Sequence, residues 1–260
     1  MADKKVLFLT LNPASRKKNQ NKTSSRRLMA TGPLILAVET SGRTGSVALA
    51  AGEQILGETS FSNPMKHSKE VFPAVSELLA KFQRKPHEIK QIYISVGPGS
   101  FTGLRIAVTM AKILNLAAAT KIVAVDTLDV IAANADDYIK ESKSEIQKVA
   151  AVLDAKRGQF FVAGYQNKQG RWEKILADCL MRAPEFLEKF AATNKPLWLL
   201  GEGLVYYKDN FKAEGTQFFP ESCWYPQAQK VHLLGWEKAQ TGAFADALQL
   251  QPAYLRGCVD

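Results

Sequence analysis

From Leu34 onward the chain alternates between unbroken apolar runs and apolar stripes at helical spacing. "LILAVE" (34–39) is an unbroken run ending on an acid, the mark of a strand buried on both faces whose end meets a site. "TSGRTG" turns, "SVALAAG" returns as a strand, and "EQILGETSF" follows a glycine turn as a third. In "HSKEVFPAVSELLAKF" the residues Val71, Phe72, Val75, Leu78, Leu79 and Phe82 recur at helical spacing. A helix over 68–82 is predicted, with Pro73 blurring its start. "QIYISVG" is a fourth strand, and the glycine-rich "GPGSFTG" opens a second helix over 102–118. That helix is apolar on more than half its circumference, Arg105, Thr109 and Lys112 forming a narrow polar stripe. Such a helix is covered on two sides, one of them by its own sheet. "KIVAVDTL" is a fifth strand. No apolar run approaches the roughly 18 residues of a membrane span, so no membrane-embedded chain is predicted.

After the polar stretch "DDYIKESKSEIQK" the pattern starts again. "VAAVLDAKRGQFFVAGYQNKQGRWEKIL" reads strand, acid, turn, strand, glycine turn, strand. Glu39 falls on Asp154 at a spacing of 115 residues, and at that spacing "SVA" falls on "FVA". Duplicated β-meanders followed by helices and further strands imply two related α/β halves. "APEFLEKF", "PLWLLGEG" and the helix around "VHLLGWEKAQTG" complete the second half. The expected division is a basic leader at 1–32, a first lobe at 33–133 and a second at 134–260. "PAYLR" is read as an extended closing segment that packs back on the first lobe.

The net charge of +9 suggests nucleic acid until it is divided. Residues 1–32 hold eight basic residues against one acid, so most of the excess lies in the leader. The body therefore exerts little net pull on RNA. The leader is read as a disordered tail, or as upstream of a true start at Met29; a basic RNA-touching arm and an organellar transit peptide are the alternatives. Cys179, Cys223 and Cys258 lie far apart with no Cys-x-x-Cys pair, which argues against a disulfide framework or zinc site and for a cytoplasmic protein.

Two halves that each open strand–acid–turn–strand resemble the actin-like ATPase (ASKHA) superfamily, in which such turns cradle ATP phosphates through backbone N–H groups. The first turn suits this, with Thr40, Ser41 and Thr44 hydroxyls and two glycines, Gly42 and Gly45. The second does not, because Ala155, Lys156 and Arg157 precede its glycine. Glu39 and Asp154 read either as a carboxylate pair for acid/base or Mg²⁺ work, or as strand-end carboxylates satisfied by backbone donors and by Lys156 or Arg157. His67, His87 and His232 are far apart and none has a histidine at i+4, so no metal site is expected. No G-x-S-x-G supports a hydrolase. "GPGSFTG" is a candidate anion site at a helix start, but Pro98 removes a donor and the Lys-Ser/Thr of a P-loop is missing.

"LAVETSGRTGSVAL", "HSKEVFPAVSELL", "VGPGSFTGLRIAVTMAKILNLA", "LDAKRGQFFVAGY", "GEG" and "PAYLR", in this order, resemble the TsaB (YeaZ) family of bacterial tRNA threonylcarbamoyladenosine biosynthesis. The resemblance spans about 34–256. It implies a two-lobed actin-like fold and a non-catalytic scaffold role beside TsaD, the paralogue that transfers threonylcarbamoyl to adenosine 37 of tRNAs reading ANN codons. A TsaE-like ATPase joins the assembly, tRNA is met only through the complex, and the chain forms a homodimer when the partner is missing. ATP or ADP is expected only at the interface of the complex. TsaD carries a His-x-x-x-His on the helix matching 67–79; here His67 is kept and Val71 takes the second place. The implied docking residues are His67, Val71, Phe72, Val75, Leu79, Arg105, Ile106, Met110 and Ile113. Glu39, Thr40, Ser41, Gly97, Gly99 and Asp154 are the implied vestigial nucleotide site. Glu39 stands where the family often has Asp, and Ala107 and Ile113 replace usual glycines. A stand-alone ATPase or small-molecule kinase of the same fold is the competing reading.

Overall fold

The computed structural model describes residues 31–61, 67–169, 171–191, 195–253 and 255. The leader readings, including Met29, therefore lie outside the described residues, as does most of "PAYLR".

The first half runs β1 (Leu34–Glu39), β2 (Gly45–Ala51), β3 (Gln54–Phe61), α1 (His67–Lys81), β4 (Ile89–Gly97), α2 (Phe101–Ala118) and β5 (Lys121–Asp126). Two linking helices follow, α3 (Thr127–Ala132) and α4 (Asn134–Ser142). The second half runs β6 (Lys148–Asp154), β7 (Phe160–Lys168), β8 (Arg171–Met181), α5 (Ala183–Phe190), β9 (Leu197–Leu200), α6 (Leu204–Tyr207), β10 (Thr216–Phe218) and α7 (Ala228–Gln240). The polar stretch after β5 is thus helical, because Tyr138 and Ile139 pack one face of α4 against the second core.

Each half forms a five-stranded sheet of one topology. The orders are β3-β2-β1-β4-β5 and β8-β7-β6-β9-β10, with the first three strands antiparallel and the rest added in parallel. This is the duplicated, two-lobed actin-like architecture expected from the sequence. The acids end equivalent strands, but the residue match beyond them slips. Glu39 pairs opposite Ser46, whereas Asp154 pairs opposite Phe160, so the second turn is one residue shorter and Ser46 matches Phe160 rather than Phe161. Lys156, Arg157 and Gly158 make that shorter turn in the left-handed region (φ +70°, +56° and +74°).

β1 and β2 are buried along their whole length because the first sheet is covered on both faces. One face receives α1 and α2, through Val71, Leu78, Leu79, Ala107 and Met110. The other receives α7, which sequence order places in the second half but which packs on β1, β2, β4 and β5. Gly235 allows this, since a Cβ there would lie 2.5 Å from the Tyr93 ring. His232 stacks on the same ring and its Nε2 lies 2.9 Å from the Gly52 carbonyl oxygen. α3 joins the lobes by sending Leu128 and Ile131 into the second core and Val130 into the first. The chain after α7 returns to the first lobe, where Ala245 bridges Ile122 and the Ala253 amide donates to Val96 O at 2.7 Å.

α2 corrects an expectation. Its 18 residues are apolar enough, by length and composition, to cross a bilayer. Its inner face, including Leu104, Ala107, Val108 and Met110, is instead buried in the first lobe.

Candidate functional site

The β1–β2 turn, the loop after β4 and the loop after β9 meet where the two lobes touch. Glu39 ends β1 with 0% exposure. Its Oε1 accepts from the Ser41 amide at 2.6 Å and from the Ser41 hydroxyl, and its Oε2 accepts from the Ser95 hydroxyl. Burial raises its pKa above the ordinary carboxylate range, opposed by these Ser41 and Ser95 donors. A carboxylate so enclosed has no open face for a cation or a reacting water.

The glycine-rich loop is fastened to the same turn. The Ser100 amide donates to Ser41 O at 2.7 Å, and Thr40 Oγ1 donates to Gly103 O at 2.8 Å. Glycine is required at the contact points: a Cβ on Gly99 would lie 2.5 Å from Ser41 O, and one on Gly97 2.8 Å from Ala253 O. The Ser100 side chain caps α2, accepting from the Gly103 amide at 3.3 Å. The sequence offered Gly97 and Gly99 as phosphate glycines; in the fold they admit the chain's own Ser41 and Ala253 carbonyls.

The rest of the turn faces the second lobe. Both Glu202 carboxylate oxygens accept from the Arg43 amide, at 2.9 and 3.0 Å. The Arg43 guanidinium donates to Tyr206 Oη at 2.6 Å and lies 4.3 Å from the centre of that ring. Burial pushes the Glu202 pKa up to about 7, with the Arg43 amide opposing and the nearby Glu39 charge adding to the rise. Asp154 takes no part in this cluster's hydrogen bonds: its carboxylate accepts from the Lys156 amide at 2.7 Å and the Lys156 ammonium at 2.6 Å. Glu39 and Asp154 are thus satisfied separately, each within its own half. Arg43, Glu202 and Tyr206 were missed by sequence reasoning. Their only signal is the glycine on either side of Glu202 in "GEG".

Glu39→Gln tests the enclosed carboxyl. Its raised pKa means that stability contributed by the protonated form is full below the ordinary value and is lost as pH rises through the raised one. The glutamine variant cannot lose it, so its melting temperature is expected to fall less than wild type between pH 5 and 8. Removing the Glu39 charge also relieves part of the rise at Glu202, so the Glu202 contribution shifts the difference in the same direction. Equal pH profiles would mean that Glu39 is already solvated.

The α1–α2 face divides the expected docking residues. Val71, Leu79 and Met110 are buried in the first core, so they support the face from beneath and cannot form it. Helical spacing put them on an apolar stripe, and it is the stripe that meets their own sheet. Val75 and Ile106 are half-buried at its border. Phe72 and Ile113 are 51% and 53% exposed, and Arg105 is exposed with its guanidinium 3.8 Å from the Phe101 ring centre. Phe72, Arg105, Ile106 and Thr109 line a groove of about 360 Å³ between the two helices. The His67 backbone begins α1, while its side chain lies outside the description.

Comparison with known proteins adds to this geometry. Residues 54–235 match the family model described as TsaD, tRNA N6-adenosine threonylcarbamoyltransferase. The chain is 31% identical over 225 residues to the Bacillus subtilis tRNA threonylcarbamoyladenosine biosynthesis protein TsaB, covering 85% of this chain and 93% of that one. It is 26% identical to the Escherichia coli protein of the same name, covering 86% and 95%. A solved structure of YeaZ from Pseudomonas aeruginosa superposes with a TM-score of 0.71 at 24% identity, covering 86% of this chain and all of that one.

Proposed function

The chain belongs to the TsaB (YeaZ) family, and from that premise we propose that it is a non-catalytic subunit of tRNA threonylcarbamoyladenosine biosynthesis. In this reading it docks on a TsaD-like catalytic paralogue through the exposed strip of α1 and α2, and a TsaE-like ATPase joins the pair. The assembly works in the cytoplasm, and tRNA is engaged only by the complex. Without its partner the chain pairs with a second copy through the same strip. ATP or ADP enters only where this chain meets its partner.

The observation that carries the non-catalytic reading is the closed β1–β2 turn. Its leading carboxylate, Glu39, is fully buried and its Arg43 amide is taken by Glu202. Phosphate transfer needs an accessible turn, a metal-holding acid and an approach for the nucleotide. The turn here is filled by protein, and the second turn carries Lys156 and Arg157 where close backbone approach is needed.

Reconstitution tests the proposal. The purified chain is expected to turn over no ATP. A mixture of TsaD-like and TsaE-like subunits, tRNA and a threonylcarbamoyl donor is expected to modify adenosine 37 only when the chain is added. ATP turnover by the chain alone, or full modification without it, would overturn the scaffold reading and restore that of a stand-alone ATPase.

A further inference from the structure

The loops after β4 and β9 hold equivalent places in the two halves, yet they reach different targets. Gly97–Gly99 folds back on the turn of its own half. Gly201 and Gly203 press onto β6: the Gly203 amide donates to Val152 O at 3.0 Å, and a Cβ at Gly201 would lie 2.2 Å from the same oxygen. Between them, Glu202 crosses to the opposite lobe and sets both carboxylate oxygens on the Arg43 amide. Gly42 makes room for it, since a Cβ there would meet Glu202 Oε1 at 2.4 Å and Pro226 Cγ at 2.9 Å.

A strand–turn–strand amide that receives both oxygens of a carboxylate, beside a glycine that permits close approach, has the chemistry of an anion cradle. The anion comes from this chain's own second lobe. Glu202 also sits where the nearby Glu39 charge adds to the cost of ionising it. We propose that Glu202 is a tethered anion that clamps the β1–β2 turn from the second lobe and keeps phosphate-bearing ligands off the Arg43 amide. The clamp is local. Elsewhere Asn134 Nδ2 donates to Cys223 O and Tyr225 O, and Lys230 pairs with Asp137 at 2.7 Å.

The ligand class is phosphate, inorganic or as the tail of a nucleotide. Removing Glu202 frees the Arg43 amide and takes from the turn the negative charge that the carboxyl carries when ionised. Both changes favour an incoming anion, by about tenfold or more in affinity for one charge-assisted hydrogen bond exchanged.

The experiment uses the full chain, wild type, Glu202→Ala and Glu202→Gln, with pyrophosphate as probe. Backbone amide exchange at Arg43 is followed by NMR, and binding by phosphorus NMR line broadening. Wild type is expected to protect the Arg43 amide and ignore pyrophosphate. The alanine variant is expected to lose that protection and bind pyrophosphate at least tenfold more tightly, which restores it. Should the alanine variant fail to fold, Glu202→Gln keeps the volume and one acceptor oxygen, and is expected to fall between the two. Arg43 exchange that is equal in wild type and variant, or a folded variant in which pyrophosphate restores nothing, overturns the clamp. These readouts concern this chain alone, so they stand or fall apart from docking to a catalytic partner.

Discussion

Gly103→Ala is expected to destabilise the chain by about 4 kcal/mol or more, or to prevent folding altogether, the range reached when a substitution forces backbone apart. A Cβ at this position would lie 1.8 Å from Thr40 O and 2.9 Å from Thr40 C. Neither can yield cheaply. Thr40 Oγ1 is bonded to Gly103 O, the next residue's carbonyl receives the Ser100 amide, and Thr40 is fully buried. Relieving the clash would move α2 off β1, and with it the core formed by Leu104, Ala107 and Val108. Gly158→Ala is the control. Its Cβ meets nothing within 4 Å, so only the left-handed backbone opposes it, at roughly 1–2 kcal/mol. Urea unfolding of both variants compares the two effects directly. Equal losses would mean that the loop after β4 is held by its φ angles and not by its seat on the β1–β2 turn.

The same contrast separates what could be read along the chain from what could not. β1 and β6 were legible because a strand covered on both faces must be apolar throughout, and "LILAVE" and "VAAVLD" are. The repeat was legible because both runs end on an acid before a turn. Its register was not, since a turn shortened by one residue leaves the apolar pattern intact while shifting every partner beyond it. The final location of α7 was hidden for a related reason. Its apolar stripe shows that it is covered, but only Tyr93 beneath Gly235 shows by which sheet. The acids Glu39 and Asp154 could be named, but their separation could not, because each finds its donors locally. Glu202 and its Arg43 partner lie 159 residues apart, and no local pattern joins positions so distant. On α2 the difficulty was one of excess. With more than half the circumference apolar, spacing alone cannot tell the stripe under Met110 from the stripe bearing Ile113.

That distinction fixes the second large effect. Ile113→Asp and Phe72→Asp are each expected to weaken pairing with a TsaD-like subunit, and pairing with a second copy, by about a hundredfold or more. A carboxylate placed in the desolvated centre of an interface typically forfeits several kcal/mol, and each 1.4 kcal/mol is about tenfold in affinity. Both side chains are more than half exposed in the lone chain, so the variants should melt within a degree or two of wild type. Met110→Asp is the opposite case. Met110 is buried against the first sheet, and a charge there should unfold the lobe without reporting on docking. Leu248→Asp supplies the inert control, being 91% exposed in the segment after α7. Light scattering of each variant, alone and mixed with the TsaD-like paralogue, reads pairing, and circular dichroism reads the fold. If Ile113→Asp and Phe72→Asp both pair like wild type while remaining folded, the exposed strip of α1 and α2 is not where the partner binds. If Leu248→Asp alone disrupts pairing, the docking surface lies instead on the segment that follows α7.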